Sequence, residues 1–161
     1  MTTTLQGADE IIVAAPASVV WAILEDGSRL VEWMPLVMQT DAKREGQGAV
    51  RHCRVSFAGR SGEVTERCVE SMPLQRIAWR MESETLGFSR HFADFGFGFS
   101  LEPRSAAHTV VRTETYYRPK GLVPAVLNRV LMRRKYRTVR RMALAGLKRL
   151  AEATATRSVV P

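Results

Sequence analysis

Residues 122–153, LVPAVLNRVLMRRKYRTVRRMALAGLKRLAEA, predict one long amphipathic helix at the C-terminal end of the chain. Apolar side chains recur every three or four residues and would line one stripe: Met132, Tyr136, Val139, Ala143, Leu147 and Leu150. Pro124 is tolerated near the start, because the first helical residues have no N–H partners within the helix. A helix of this kind needs a surface for its apolar stripe. We therefore expect the residues upstream to form that surface.

The upstream pattern predicts a strand, two short helices and then a run of strands. Residues 10–14 are β-branched and acidic, residues 19–26 and 28–33 have helical spacing, and Pro35 ends the second helix. Alternation broken by turns then covers residues 37–117 and predicts five or six antiparallel strands. A curved antiparallel sheet closed by one long helix is an α+β domain. If the sheet bends enough, a cavity remains between it and the helix.

Length and composition indicate one ordinary globular domain covering residues 1–161. We expect a folded core at residues 8–153 and a frayed tail at residues 154–161. The apolar fraction is 45% and the charged fraction 25%. We see no signal peptide and no apolar run long enough to span a membrane, so we expect a cytoplasmic protein. No metal-spaced cluster, phosphate loop or nucleophile motif is present, and we expect neither metal nor cofactor.

The positive charge is concentrated in the long helix. The net charge is +8, and six of the nine residues at positions 133–141 are basic. A solvated helix face is the simpler interpretation. The alternative is a face that attracts an anionic partner such as RNA, a lipid surface or an acidic protein. Nucleic-acid binders often interleave exposed aromatics with such charge, and here only Tyr136 is available, on the apolar stripe, so the charge alone does not decide between these interpretations.

Strand parity places charged residues inside the sheet. A turn centred between Arg60 and Ser61 would put Phe57 opposite Val64, Val55 opposite Glu66, Cys53 opposite Cys68 and Arg51 opposite Glu70. All of these would share the inner face. Buried charges are costly unless they are paired or solvated. Inward Arg51, Glu66 and Glu70 therefore predict a water-lined pocket or a polar anchor for a ligand, and a salt-bridged pair at the cavity rim is the alternative.

The other strands predict apolar walls for the cavity. Three phenylalanines alternate with glycine on one face of a single strand, which makes a large apolar surface. The lining residues predicted from parity and from the helix stripe are Val55, Phe57, Trp79, Phe95, Phe97, Phe99, Thr113, Met132, Tyr136 and Val139.

The stretch IIVAAPASVVWAILEDGSRLVEWMP at residues 11–35 resembles the START-like or SRPBCC superfamily, and within it the polyketide cyclase/dehydrase and lipid-transport branch. The resemblance covers nearly the whole chain. It implies a helix-grip fold, a curved antiparallel sheet wrapped around a long C-terminal helix, with two short helices after the first strand. It also implies an internal cavity for one lipid-like or polyketide-like molecule, with Trp33 at the pocket end.

The resemblance leaves two functions open. Abscisic-acid receptors have a segment similar to Thr65-Glu66-Arg67 whose glutamate faces the ligand, which favours a carrier or sensor that performs no chemistry. Their gate and latch motifs are missing here. Aromatase/cyclases use an inward arginine with a tyrosine, and here Glu70 stands at the equivalent strand position. Arg51 with Tyr117 or Tyr136 would have to substitute, so we leave open whether the chain is an enzyme.

Overall fold

The structure is a computed structural model that describes residues 4–43 and 46–157. Seven strands and four α-helices follow in chain order: β1 (Leu5–Val13), α1 (Ala17–Leu24), α2 (Leu30–Trp33), β2 (Val37–Thr40), β3 (Val50–Phe57), β4 (Arg60–Met72), β5 (Arg76–Glu84), β6 (Phe92–Ser105), β7 (His108–Pro119), α3 (Leu122–Leu127) and α4 (Arg133–Arg157). Short 3-10 turns at Gly27–Arg29 and Phe88–Arg90 precede α2 and β6. The predicted element order is confirmed.

All strands belong to one antiparallel sheet with the order β1-β7-β6-β5-β4-β3-β2. The sheet curves around α4, and α1 and α2 close the end near the C-terminal half of that helix. The predicted α+β helix-grip fold is therefore confirmed. No helix in the described ranges is both long and apolar enough to cross a bilayer.

The C-terminal helix is longer and less regular than predicted. A π-helical turn, Asn128–Met132, joins α3 to α4, and α4 continues to Arg157. Residues 154–157, predicted to be frayed, are thus helical, while residues 158–161 lie outside the described part. No residue of α3 is buried, whereas α4 buries a continuous stripe against the sheet and α2. The first strand also begins earlier than predicted, at Leu5.

The helices α4 and α2 lie close together at Gly146. A Cβ atom at this position would lie 2.3 Å from the carbonyl oxygen of Trp33. Only glycine therefore fits, and its absence of a side chain allows α4 to lie this near to α2. Trp33 in turn packs edge-on against Phe99, with 5.4 Å between the ring centroids.

The predicted register of the β3–β4 hairpin is wrong, although the side chains predicted to face inward from β3 do so. Ala58 and Gly59 form the turn with φ values of 52° and 78°, so Phe57 lies opposite Arg60, and Arg51 lies opposite Glu66. Cys53 lies opposite Val64 and not opposite Cys68. A two-residue turn in which both residues have positive φ matches the twist of the strands. Because each partner moves by an even number of positions, the inward side chains remain inward.

Glu70 does not face inward as predicted. An irregularity between Cys68 and Glu70 shifts the pairing with β5. A bulge of this kind turns the following side chain to the other face of the sheet. Glu70 there accepts a hydrogen bond from Nε of Arg76, which also contacts Glu114 on the outer face.

Candidate functional site

A cavity of about 110 Å³ lies between the concave face of the sheet and α4. Most of its wall is apolar, and the polar side chains on it are few. Its lining residues are Met34, Leu36, Val37, Arg51, Cys53, Val55, Phe57, Val64, Glu66, Met81, Leu86, Phe88, Phe95, Phe97, Phe99, Thr113, Thr115, Tyr136, Val139, Arg140 and Ala143.

Most of the residues predicted to line the cavity do so. Those on its wall are Arg51, Val55, Phe57, Glu66, Phe95, Phe97, Phe99, Thr113, Tyr136 and Val139. That these residues contact a ligand stays a prediction.

The remaining predicted residues lie elsewhere. Trp33 packs behind Phe99 against α4, and Glu70 is on the outer face. Trp79 lies beneath the guanidinium of Arg51. Met132 belongs to an aromatic cluster at the end of the cavity near α3. Glu70 differs because of the strand irregularity in β4, whereas for Trp79 parity identifies the face correctly but not which side chain covers another.

Arg51 and Glu66 form a buried ion pair on neighbouring strands. Nε of Arg51 donates to Oε2 of Glu66 over 2.7 Å, and the two residues are 3% and 9% exposed. The guanidinium carbon lies 3.8 Å from the centroid of the Trp79 ring, close enough for a cation–π interaction. The pair is thus oriented from two sides, and each charge is compensated by the other.

A second ion pair reaches the cavity from α4. Arg140 was expected on the basic outer face, but it is buried, and its Nε donates to Oδ2 of Asp9 over 2.7 Å. Gly7 on β1 leaves the room for it, since a Cβ there would lie 2.6 Å from Nη2 of Arg140. Helical spacing alone could have indicated this inward position, because Arg140 follows Tyr136 by four residues on the apolar stripe.

Tyr136 brings a hydroxyl group to the cavity wall. Its ring stacks on Phe57 with 5.3 Å between centroids, and Phe95 and Tyr117 pack around it. Among the described residues its hydroxyl makes no hydrogen bond, and burial raises the pKa of Tyr136. Burial also raises the pKa of Tyr117 to about 12. Tyr136 is therefore protonated at neutral pH and available as a hydrogen-bond donor.

The segment between β5 and β6 closes one side of the cavity with Leu86 and Phe88. The Glu84 carboxylate holds this segment by accepting hydrogen bonds from the backbone N–H groups of Gly87 and Ser89, over 2.7 and 2.8 Å. Partial burial acts to raise the pKa of Glu84, but these hydrogen bonds outweigh it and keep the pKa below the ordinary value of 4.5.

Replacing Glu84 with glutamine is expected to lower the free energy of unfolding at pH 7 by about 1 kcal/mol. Since the pKa of Glu84 is lowered in the folded state, its contribution is present above pH 4.5 and is lost as the pH falls through the folded pKa. Urea unfolding of both proteins at pH 7 and pH 3 measures this. The same difference at both pH values would contradict the assigned role of the carboxylate.

A surface cleft of about 300 Å³ lies on the other side of Leu86 and Phe88. Leu127 and Met132 form its edge at the C-terminal helix, and Arg60 and Phe92 are among its other wall residues. Leu86 and Phe88 line both spaces and separate them. Displacement of these two side chains would join the cavity to solvent at the end where α3 lies.

Sequence comparison finds one family whose model matches nearly the whole chain. The family is described as polyketide cyclase/dehydrase and lipid transport, and its model matches residues 5–152. No curated protein sequence matches the chain.

Solved structures with the same fold include both enzymes and a START superfamily protein. The Zhui aromatase/cyclase from Streptomyces sp. R1128 aligns over 94% of each chain with a TM-score of 0.76 and 21% identity. A START superfamily protein from Mycobacterium smegmatis aligns over 95% of this chain and 98% of its own, with a TM-score of 0.63 and 17% identity. Norcoclaurine synthase from Thalictrum flavum aligns over 99% and 90%, with a TM-score of 0.70 and 13% identity. At these identities the similarity shows the fold alone.

Proposed function

The chain belongs to the polyketide cyclase/dehydrase and lipid transport family, and on that premise we propose that it binds one neutral, mainly apolar small molecule in the cavity between the sheet and α4. The observation that carries the proposal is the pairing of the charges on the cavity wall. Arg51 is paired with Glu66, and Arg140 with Asp9, which the exposed Arg137 and Arg141 also approach.

Because the charged side chains on the cavity wall are already paired, the cavity favours a neutral ligand. A carboxylate or ammonium entering the cavity would lose its hydration, and each charge on the wall already has a counter-ion. A hydroxyl or carbonyl group loses less on burial and can exchange hydrogen bonds with the Arg51–Glu66 pair or with the Tyr136 hydroxyl. A phenol or a ketone on an apolar frame therefore suits the cavity better than a fatty acid.

The size of the cavity limits what fits without rearrangement. About 110 Å³ is below the roughly 300–1,000 Å³ of typical ligand pockets, and an engineered cavity of about 150 Å³ binds benzene. A single substituted ring is thus the largest ligand we expect in the closed form. A lipid-like or polyketide-like molecule requires Leu86 and Phe88 to move, so that the cavity joins the cleft beside them.

Protein-observed NMR titration with 4-methylphenol, and with 4-methylbenzoate as its charged counterpart, tests the proposal. We expect the phenol to bind at least about tenfold more tightly and to shift resonances around Phe97, Thr113 and Tyr136. Val139→Phe should fill the cavity and abolish binding. Thr138→Phe, an exposed neighbour on the same helix, should not. Shifts confined to the surface, or equal loss in both variants, would contradict the proposal.

A second candidate function is cyclisation of a poly-β-ketone held in the same space, and the unbonded hydroxyl of Tyr136 is the observation that favours it. The raised pKa makes Tyr136 a weak acid, which could protonate only a strongly basic oxygen such as an alkoxide. Mass spectrometry after incubation with a synthetic poly-β-keto thioester tests this. If the protein catalyses the reaction, the wild type should form a product lighter by one water, and Tyr136→Phe should fail to form it. Absence of that product with the wild-type protein would rule the reaction out.

A further inference from the structure

The helical segment before α4 exposes an apolar surface that no described residue covers. We call it the α3 face. Leu122, Val123, Val126 and Val130 are 86, 80, 64 and 69% exposed, and no residue of α3 is buried. Large apolar side chains gathered in this way on a folded domain typically mark a site for a partner or a membrane.

Basic side chains border the α3 face. Arg129, Arg134 and Lys135 have no ion-pair partner in the described part of the chain. Arg137 and Arg141, by contrast, approach Asp9 at 3.9 and 3.3 Å. The stripe that begins with Leu122 and Val126 continues along the helix into Arg134. Apolar side chains with bordering cations are the pattern of a helix that lies in the interface of a membrane.

We propose that the α3 face docks the protein onto bilayers that contain anionic phospholipids. The apolar side chains would enter the boundary between headgroups and acyl chains, while Arg129, Arg134 and Lys135 contact the phosphates. Charge complementarity favours this occupant over a second copy of the chain. Two copies joined through this face would bring the same uncompensated cations together, which costs energy, whereas an anionic lipid surface neutralises them.

The position of the α3 face adds a consequence that rests on the proposed function. Leu127 ends α3 and also lines the cleft next to the cavity, together with Met132 of the π-helical turn. A protein docked by the α3 face would therefore have this cleft near the bilayer. An apolar molecule could then pass between the membrane and the cavity with little exposure to water.

Sedimentation with vesicles tests the docking itself. We expect the full chain to bind vesicles of phosphatidylcholine with about 30% phosphatidylglycerol at least tenfold more strongly than vesicles of phosphatidylcholine alone. The double variant Val123→Asp/Val126→Asp should reduce this binding at least about tenfold, and so should Arg129→Glu/Arg134→Glu.

Two changes on the same helix serve as matched controls. Met142 is 53% exposed and lies roughly 24 Å further along than Val126, and Arg149 is exposed in the last turns. Met142→Asp and Arg149→Glu should both leave vesicle binding within about twofold of wild type. Each variant is also assayed without vesicles, where its binding of 4-methylphenol should be unchanged.

Three results would overturn the proposal. One is equal binding to charged and uncharged vesicles, or to neither. Another is loss of binding in the charge variant but not in the apolar variant, because adhesion would then be electrostatic only. The third is a dimer in sedimentation velocity that dissociates on Val123→Asp/Val126→Asp while the wild-type protein ignores vesicles. Failure of vesicle binding with intact binding of 4-methylphenol would remove the docking but leave the cavity function standing.

Discussion

Replacing Arg51 with methionine is expected to lower the free energy of unfolding by about 3–5 kcal/mol. The variant leaves the carboxylate of Glu66 buried without its counter-ion, and removes the guanidinium that lies 3.8 Å from the Trp79 ring. An uncompensated charge in a largely apolar wall costs more than the attraction that the pair supplied. Urea unfolding monitored by tryptophan fluorescence measures the loss.

Two comparisons separate burial from charge. The Arg67–Glu82 pair joins β4 and β5 on the exposed side of the sheet, and Arg67→Met should cost much less stability than Arg51→Met because solvent screens the pair. The double variant Arg51→Met/Glu66→Leu should recover most of the stability, because no buried charge remains. A loss in Arg51→Met no larger than in Arg67→Met would contradict the buried ion pair. The double variant should fold but bind 4-methylphenol more weakly, since the polar contact is gone.

Replacing Gly146 with alanine is expected to destabilise the protein by about 2–4 kcal/mol, although alanine favours helices by about 1 kcal/mol over glycine. The new Cβ would meet the backbone oxygen of Trp33, which cannot rotate away as a side chain can. Either α4 or α2 must shift, and the edge-on contact of Trp33 with Phe99 is disturbed. Thermal unfolding of both proteins gives the difference.

Gly46→Ala provides the matched control. A Cβ at Gly46 would have no neighbouring atom within 4 Å, so the same change should alter stability by less than about 0.5 kcal/mol. A Gly146→Ala protein as stable as wild type would show that α4 does not lie as close to α2 as the structure has it.

Much of the fold could be predicted because its signals are local. The spacing of Tyr136, Ala143 and Leu147 predicts the buried stripe of α4, and alternation along β6 predicts that Phe95, Phe97 and Phe99 share a face. The prediction of which side chains face inward also survived the error of register in the β3–β4 hairpin, because the register differs by an even number of positions. The dipeptide Ala58-Gly59 is the signal that could have placed the turn, because glycine readily adopts positive φ.

The features that could not be predicted depend on contacts between distant elements. Helical spacing places Arg140 on the apolar stripe, but its counter-ion is Asp9 on β1, and no pattern within α4 reveals that pairing. Glu70 leaves the inner face at a strand irregularity that has no signature in the sequence. The volume of the cavity follows from how closely Phe57, Phe95 and Tyr136 pack on one another. A pattern of apolar residues predicts a wall but not the space behind it.

A crystal structure of the protein soaked with saturating 4-methylphenol tests most directly whether the space between sheet and α4 is a ligand site. We expect density for one ring against Phe97 and Tyr136, with its hydroxyl within hydrogen-bond distance of Arg51, Glu66 or the Tyr136 hydroxyl. Val139→Phe crystals treated in the same way should lack that density. Phenol found only on the outer surface of the wild-type protein, with the cavity unchanged and empty, would contradict the proposed function.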